Sequence, residues 1–198
     1  MRYKRYEMKY QDIDPSIVIP QHLKGRYKAT LGWCSKSVDS LADRLVFKGF
    51  ENDIFDFTEI FNMNNPDVFY DSAILSSLIA SCCFVYISKG EEDVPRLQVI
   101  EASNATGTLD PITGLLSEGY AVLERDKSGN PSLEAHFMPG ETQYYTNGKI
   151  TERHTHKCLY PLLVPIVHRG DAVRPFGRSR ITTTRSEERR VGKECRSR

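Results

Sequence analysis

Leu23, Tyr27, Leu31, Cys34, Val38, Leu41 and Leu45 recur at steps of three or four, which places them on one face of a 3.6-residue helix over about residues 21–45. The opposite face carries Lys24, Lys28, Ser35, Lys36 and Asp43, so the helix is expected to be half buried. Pro20 suits its first turn, where a missing N–H costs nothing. Leu45 to Phe50 then alternates apolar residues with Val, Lys and Gly, and the period predicts a short strand. Asp56, with Glu59 three residues on, reads as a capping box opening a helix over about 57–63. Asn65-Pro66-Asp67 is a stronger start: a cap, a proline at the first helical position and an acid in the first turn. The helix it opens, about 66–81, is apolar around most of its circumference and should lie deep against a sheet.

At Cys82 the period changes, because Phe84, Val85, Tyr86 and Ile87 are aromatic or β-branched. Turn signals at Lys89-Gly90, Asp110-Pro111, Thr113-Gly114, Ser128-Gly129-Asn130-Pro131, Pro139-Gly140 and Asn147-Gly148 divide the remainder into short segments. The predicted strands are 96–102, 105–109, 118–126, 133–138, 142–146, 149–154 and 163–168. Asn147-Gly148 is the best-defined hairpin tip, since both residues tolerate the positive φ of a type I′ turn. Helices first and strands after make the class α+β, with an antiparallel β-meander.

Composition adds little to this picture. Of 198 residues, 39% are hydrophobic and 27% charged, as in ordinary globular chains. No run of about 18 apolar residues marks a membrane span, and MRYKRYEMKY lacks the apolar core of a secretory signal, so a cytoplasmic origin is expected. The five cysteines form no CxxC pair and suit reduced, mostly buried thiols. Charge changes more. The net is +1, but RSEERRVGKECRSR at the end holds six basic and three acidic residues, leaving 21 basic against 23 acidic elsewhere. A near-neutral body lacks the electrostatic footprint of a free-standing nucleic-acid binder. The terminal stretch, 185–198, has no apolar periodicity and is read as a non-native read-through tail. Residues 1–20 form an arm; Tyr3, Tyr6 and Tyr10 with Lys4, Arg5 and Lys9 make either a solvated helical start or an aromatic, basic patch.

Catalytic motifs are missing: there is no phosphate loop, HExxH or GxSxG. The nearest approach to a metal site is His154, His156 and Cys158, which alternate along one strand face, with His168 as a fourth ligand. That set defines one alternative, a metal-dependent hydrolase. A protein-binding module built on the β-meander is another. Trp33, the one tryptophan, stands a step off the apolar stripe and is either a core-margin residue or an interface anchor.

Four long blocks carry a resemblance: LGWCSKSVDSLADRLVFKGF, FNMNNPDVFYDSAILSSLIASCCFVYIS, PRLQVIEASNATGTLDPITGLLSEGYAVLERD and YPLLVPIVHRGDAVRPFGRSRI. In order and spacing they resemble the portal proteins of tailed bacteriophages and prophages, over about residues 3–181. The resemblance implies a head–tail connector, a ring that is usually dodecameric. It stands at one capsid vertex and conducts double-stranded DNA without reading its sequence. It implies no catalysis and no cofactor. The partners it implies are further copies of the subunit, the packaging terminase, a head–tail adaptor, and capsid and scaffolding proteins; the location is the virion, and the host cytoplasm during assembly. Residues 21–181 would be a wing-like α+β domain, with stem and clip expected beyond Ile181. Trp33, Lys28 and Lys36 on the exposed helix flank, and Arg174, Arg178 and Arg180 near the end of the matched region, are the expected contacts to neighbouring subunits, stem or DNA.

Overall fold

At Ser81 the chain passes from helix to strand in one residue, with a φ of 91° that no helix accommodates. In the computed structural model, which describes residues 2–9, 32–51, 53–90 and 94–182, four helices precede that point and eight strands follow it. The helices are α1 (Arg2–Tyr6), α2 (Trp33–Ala42), α3 (Phe57–Met63) and α4 (Pro66–Ala80). The strands are β1 (Cys82–Lys89), β2 (Pro95–Glu101), β3 (Ala105–Leu109), β4 (Leu116–Arg125), β5 (Pro131–Met138), β6 (Glu141–Thr146), β7 (Lys149–Thr155) and β8 (Leu163–Val167). The architecture is α+β, as the sequence pattern predicts.

Within the described residues the first long helix is shorter than its periodicity suggests. α2 ends at Ala42, where the N–H of Arg44 donates to the Leu41 carbonyl and that of Leu45 to the Ala42 carbonyl, bonds of i→i+3 type that tighten and close a helix. Residues 21–31 of the expected helix, including Lys28, lie outside the described residues, as does most of the expected arm. No strand forms over 45–50. The alternation there serves a different purpose: the Phe47 ring packs on Phe61 and Tyr70 at 4.7 and 5.7 Å, and Phe50 packs on Phe61 at 5.7 Å. Rings on α3 and α4 replace the ladder partner that a strand would need.

The capping box at α3 is also corrected. Asp56 takes a left-handed conformation, φ 56°, and its side chain caps nothing. The carboxylate of Asp53 does so instead, accepting from the N–H groups of Phe57 at 2.7 Å and Thr58 at 2.6 Å. Asn65 likewise makes no side-chain cap, although Pro66 and Asp67 stand where expected in the first turn of α4.

α4 packs between the other helices and the three-stranded sheet. Toward the helices, Leu78 and Ile79 pack with Cys34 and Val38 of α2, with Tyr3 and Tyr6 of α1, and with Ile181 from the far end of the described chain. The two N-terminal tyrosines therefore line a core rather than a solvated patch. Toward the sheets, the Cys83 thiol lies 3.4 Å from the Ala73 carbonyl, and burial pushes its pKa up to about 12.

The strands form two sheets, β2-β1-β8 and β3-β4-β5-β6-β7, every pairing antiparallel. The five-stranded sheet is the predicted meander, and Asn147-Gly148 turns its last hairpin with φ of 51° and 75°. β8 departs from that meander and pairs with β1. β1 is buried over its first five residues, so an apolar strand such as LVPIV finds cover beside it, whereas β7 is exposed throughout. The two sheets share a core of Phe84, Tyr86, Ile100, Leu116, Phe137 and Leu163. Each such large side chain, fully buried, contributes about 1.5–3 kcal/mol. Gly119 admits the close packing, since a Cβ there would stand 2.9 Å from the Leu163 side chain.

Candidate functional site

The residues singled out by sequence fall in two places. Trp33 opens α2 with 47% of its surface exposed, and Lys36 lies exposed one turn on, so this flank of the helix is open. Arg174, Arg178 and Arg180 follow β8 in three different settings. Arg174 is exposed; Arg178 is paired with Asp171 at 2.5 Å; Arg180 is partly buried near His168. The Arg174 N–H, then the Arg178 guanidinium, hold the Asp171 carboxyl below its usual range. Burial first, then the charges of Arg169 and Arg180, lower the pKa of His168. Between these arginines, Ser179 donates to the Ile79 carbonyl at 2.5 Å and Ile181 enters the helical core. This stretch fastens residues 179–181 to α4.

The histidines do not converge. His154 is held by Glu152 on its own strand at 2.5 Å and stacks edge-on against Tyr144 at 5.1 Å. His156 lies past the end of β7, where its N–H bonds the Gly140 carbonyl, and Cys158 is exposed. Among the described residues no group of three or more His, Cys, Asp or Glu is gathered as a metal ion would need. Strand alternation would place these side chains on one face, but β7 ends at Thr155, before His156 and Cys158.

Two features that sequence reading missed stand side by side on the helical half. One is an aromatic shelf: Val46, Ile54 and Phe55 are 71%, 81% and 71% exposed, with Phe57 and Phe50 half open beside them. The other is a groove of about 560 Å³ between α2 and α4. Its floor is apolar, from Phe47, Phe61, Ile74 and Leu75. Four carboxylates edge it, Asp39 and Asp43 from the end of α2 and Asp67 and Asp71 from the start of α4, and no described lysine or arginine lines it. The Tyr6 hydroxyl donates to Asp39 at 2.8 Å; burial, then that carboxylate, raises the Tyr6 pKa to about 12.

A signal for the groove was present in the spacing. Asp39/Asp43 and Asp67/Asp71 are both i,i+4 pairs of like charge, each costing a helix about 0.2–0.5 kcal/mol. Asp39 and Asp43 also stand at the C-terminal end of α2, where the helix dipole disfavours an anion and the last turn holds no basic residue. A scan against protein-family models finds no match to this chain, and a search of curated proteins finds none.

Proposed function

We propose that this chain is part of a portal-type subunit, one member of an oligomeric ring that conducts double-stranded DNA at a capsid vertex and joins head to tail. The observation that carries the reading is the aromatic shelf. Contiguous exposed apolar surface of this kind belongs to a face that another molecule covers, and a ring subunit has such a face toward each neighbour. The four blocks of portal-like wording supply the kind of assembly. The near-neutral charge of residues 1–184 fits a conduit along which DNA slides, since phosphate-neutralising contacts would hold it. On this reading the mechanism is assembly, and the terminase, adaptor, capsid and scaffolding proteins are partners of the ring.

A head-assembly assay tests it, using the protein expressed from its complete reading frame. Rings by electron microscopy and heads that fill with DNA are expected, and Phe55→Asp with Ile54→Asp should leave subunits unassembled and heads empty. A protein that stays monomeric at high concentration and leaves packaging unaffected when deleted overturns the reading.

A further inference from the structure

The acidic groove implies a cationic occupant, and the chain itself carries one of the right chemistry. From Pro15 to Val38 the sequence has four basic residues, Lys24, Arg26, Lys28 and Lys36, and no acidic residue. From Asp39 to Asp71 it has eight acidic residues and two basic. The first third of the chain is thus divided into a positive block and a negative block, and the groove is built from the negative one. In residues 21–31, QHLKGRYKATL, the apolar Leu23, Tyr27 and Leu31 recur every four positions with Lys24 and Lys28 beside them. An apolar floor with an anionic rim complements that pattern term by term.

We infer that the groove between α2 and α4 receives residues 21–31 of a second copy of the chain. Those residues join α2 at its beginning, while the groove opens at the other end of α2, about 15 Å away along a ten-residue helix. The basic block thus precedes α2 in the chain, and the acidic groove lies at the helix's other end. Such an arrangement is heterologous, head to tail, and repeats from copy to copy until it closes. Cations entering beside Asp39 and Asp43 relieve both the like-charge pair and the unfavourable helix end. Leu23 and Tyr27 cover Phe47 and Phe61, and the shelf at Val46 borders the same contact. The inference rests on the ring reading only for closure; the contact between copies stands without it.

Isotope-mixed photo-crosslinking tests the contact. Val46→p-benzoylphenylalanine places a reactive group on the groove lining, and equal amounts of ¹⁴N and ¹⁵N chain are mixed before irradiation. Crosslinks from position 46 to residues 21–31 are expected, about half of them of mixed isotope. Asp43→Lys with Asp71→Lys, or Lys24→Glu with Lys28→Glu, should each weaken copy-to-copy affinity at least about tenfold. Mixing the two reversed chains should restore it, a rescue that misfolded variants cannot give. Crosslinks of single isotope only, crosslinks to other segments, or no rescue overturn the inference. The two readings separate cleanly: rings without the 46-to-21–31 crosslink sink the groove contact alone, and open chains of copies that carry it sink the ring alone.

Discussion

The strand half of the molecule and its helical half differ in what they leave open. Around Phe84, Phe137 and Leu163 the two sheets close on each other, and even the polar Thr142 is enclosed, while the outer face of the meander carries Tyr120, Glu134, His136 and Glu118 in hydrogen-bonded pairs. That half encloses its central rings within one chain, although Ile112 and Leu159 in its loops stay exposed. The helical half buries Val38 and Leu78 but leaves Ile54, Phe55 and Val46 largely exposed and edges a groove with four carboxylates, lined by no described lysine or arginine. The sheets bury their rings and the helical half leaves these out, and on the ring reading a neighbouring copy would cover them.

The largest expected effect separates the halves directly. Phe137→Ala, at a side chain with no exposed surface, should destabilise the monomer by about 3–5 kcal/mol in urea titration. Phe55→Ala, at a ring 71% exposed, should stay within about 0.5 kcal/mol. Equal costs would show that the shelf is core after all. Next is Gly177→Ala, which probes the seam between halves. Gly177 has a φ of +77°, and a Cβ there would meet the His168 carbonyl oxygen at 2.2 Å, so the segment delivering Ser179 and Ile181 to α4 would shift. A cost of about 1–3 kcal/mol is expected, read as a lowered Tm.

His168 reports the same seam by pH. Its backbone bonds both Ser81 and Arg178, tying helix end, sheet and terminal segment together. Because burial and two nearby arginines depress its pKa below 6.5, the fold favours the neutral ring. That stability is complete above 6.5, where the unfolded imidazole is neutral too, and is lost as pH falls through the folded pKa. The unfolding midpoint should therefore drop on acidification from pH 7 toward 5, and His168→Gln should flatten the drop. An unchanged slope would remove His168 from the seam.

The two halves were also unequally legible in sequence. Strands stood out because each is short, alternating and bounded by a turn residue with a mechanism, as at Asn147-Gly148. β8 was placed correctly along the chain but not beside its partner, since pairing with β1 across about eighty residues leaves no local trace. In the helical half local rules competed. Phe47 and Phe50 obey a strand-like alternation that ring packing satisfied instead, and Asp56 looked like a cap while Asp53 reached the amides. Of the candidate residues, Trp33 and Lys36 are exposed as a contact surface requires, whereas Arg178 is occupied by Asp171. The groove went unread because its four aspartates, taken one at a time, look like an ordinary solvated surface, and the signal lies only in their i,i+4 pairing.

The smallest expected effect lies at that misread cap. Asp53 is exposed, and the hydroxyl and N–H of Thr58, with the Phe57 N–H, hold its pKa below the ordinary 3.8. For a depressed carboxyl the stabilisation is present above 3.8 and lost as pH falls through the folded pKa. Both oxygens accept, one from each amide, so Asp53→Asn keeps one acceptor and loses the charge that favours a helix start. Hydrogen exchange should show Phe57 and Thr58 losing protection in the variant at neutral pH, and in the parent only under acid, while the global unfolding midpoint hardly moves. If the midpoint moved with them, α3 would be cooperative with the sheets. The helical half would then be a finished part of the monomer core, and its open shelf would need a different reason.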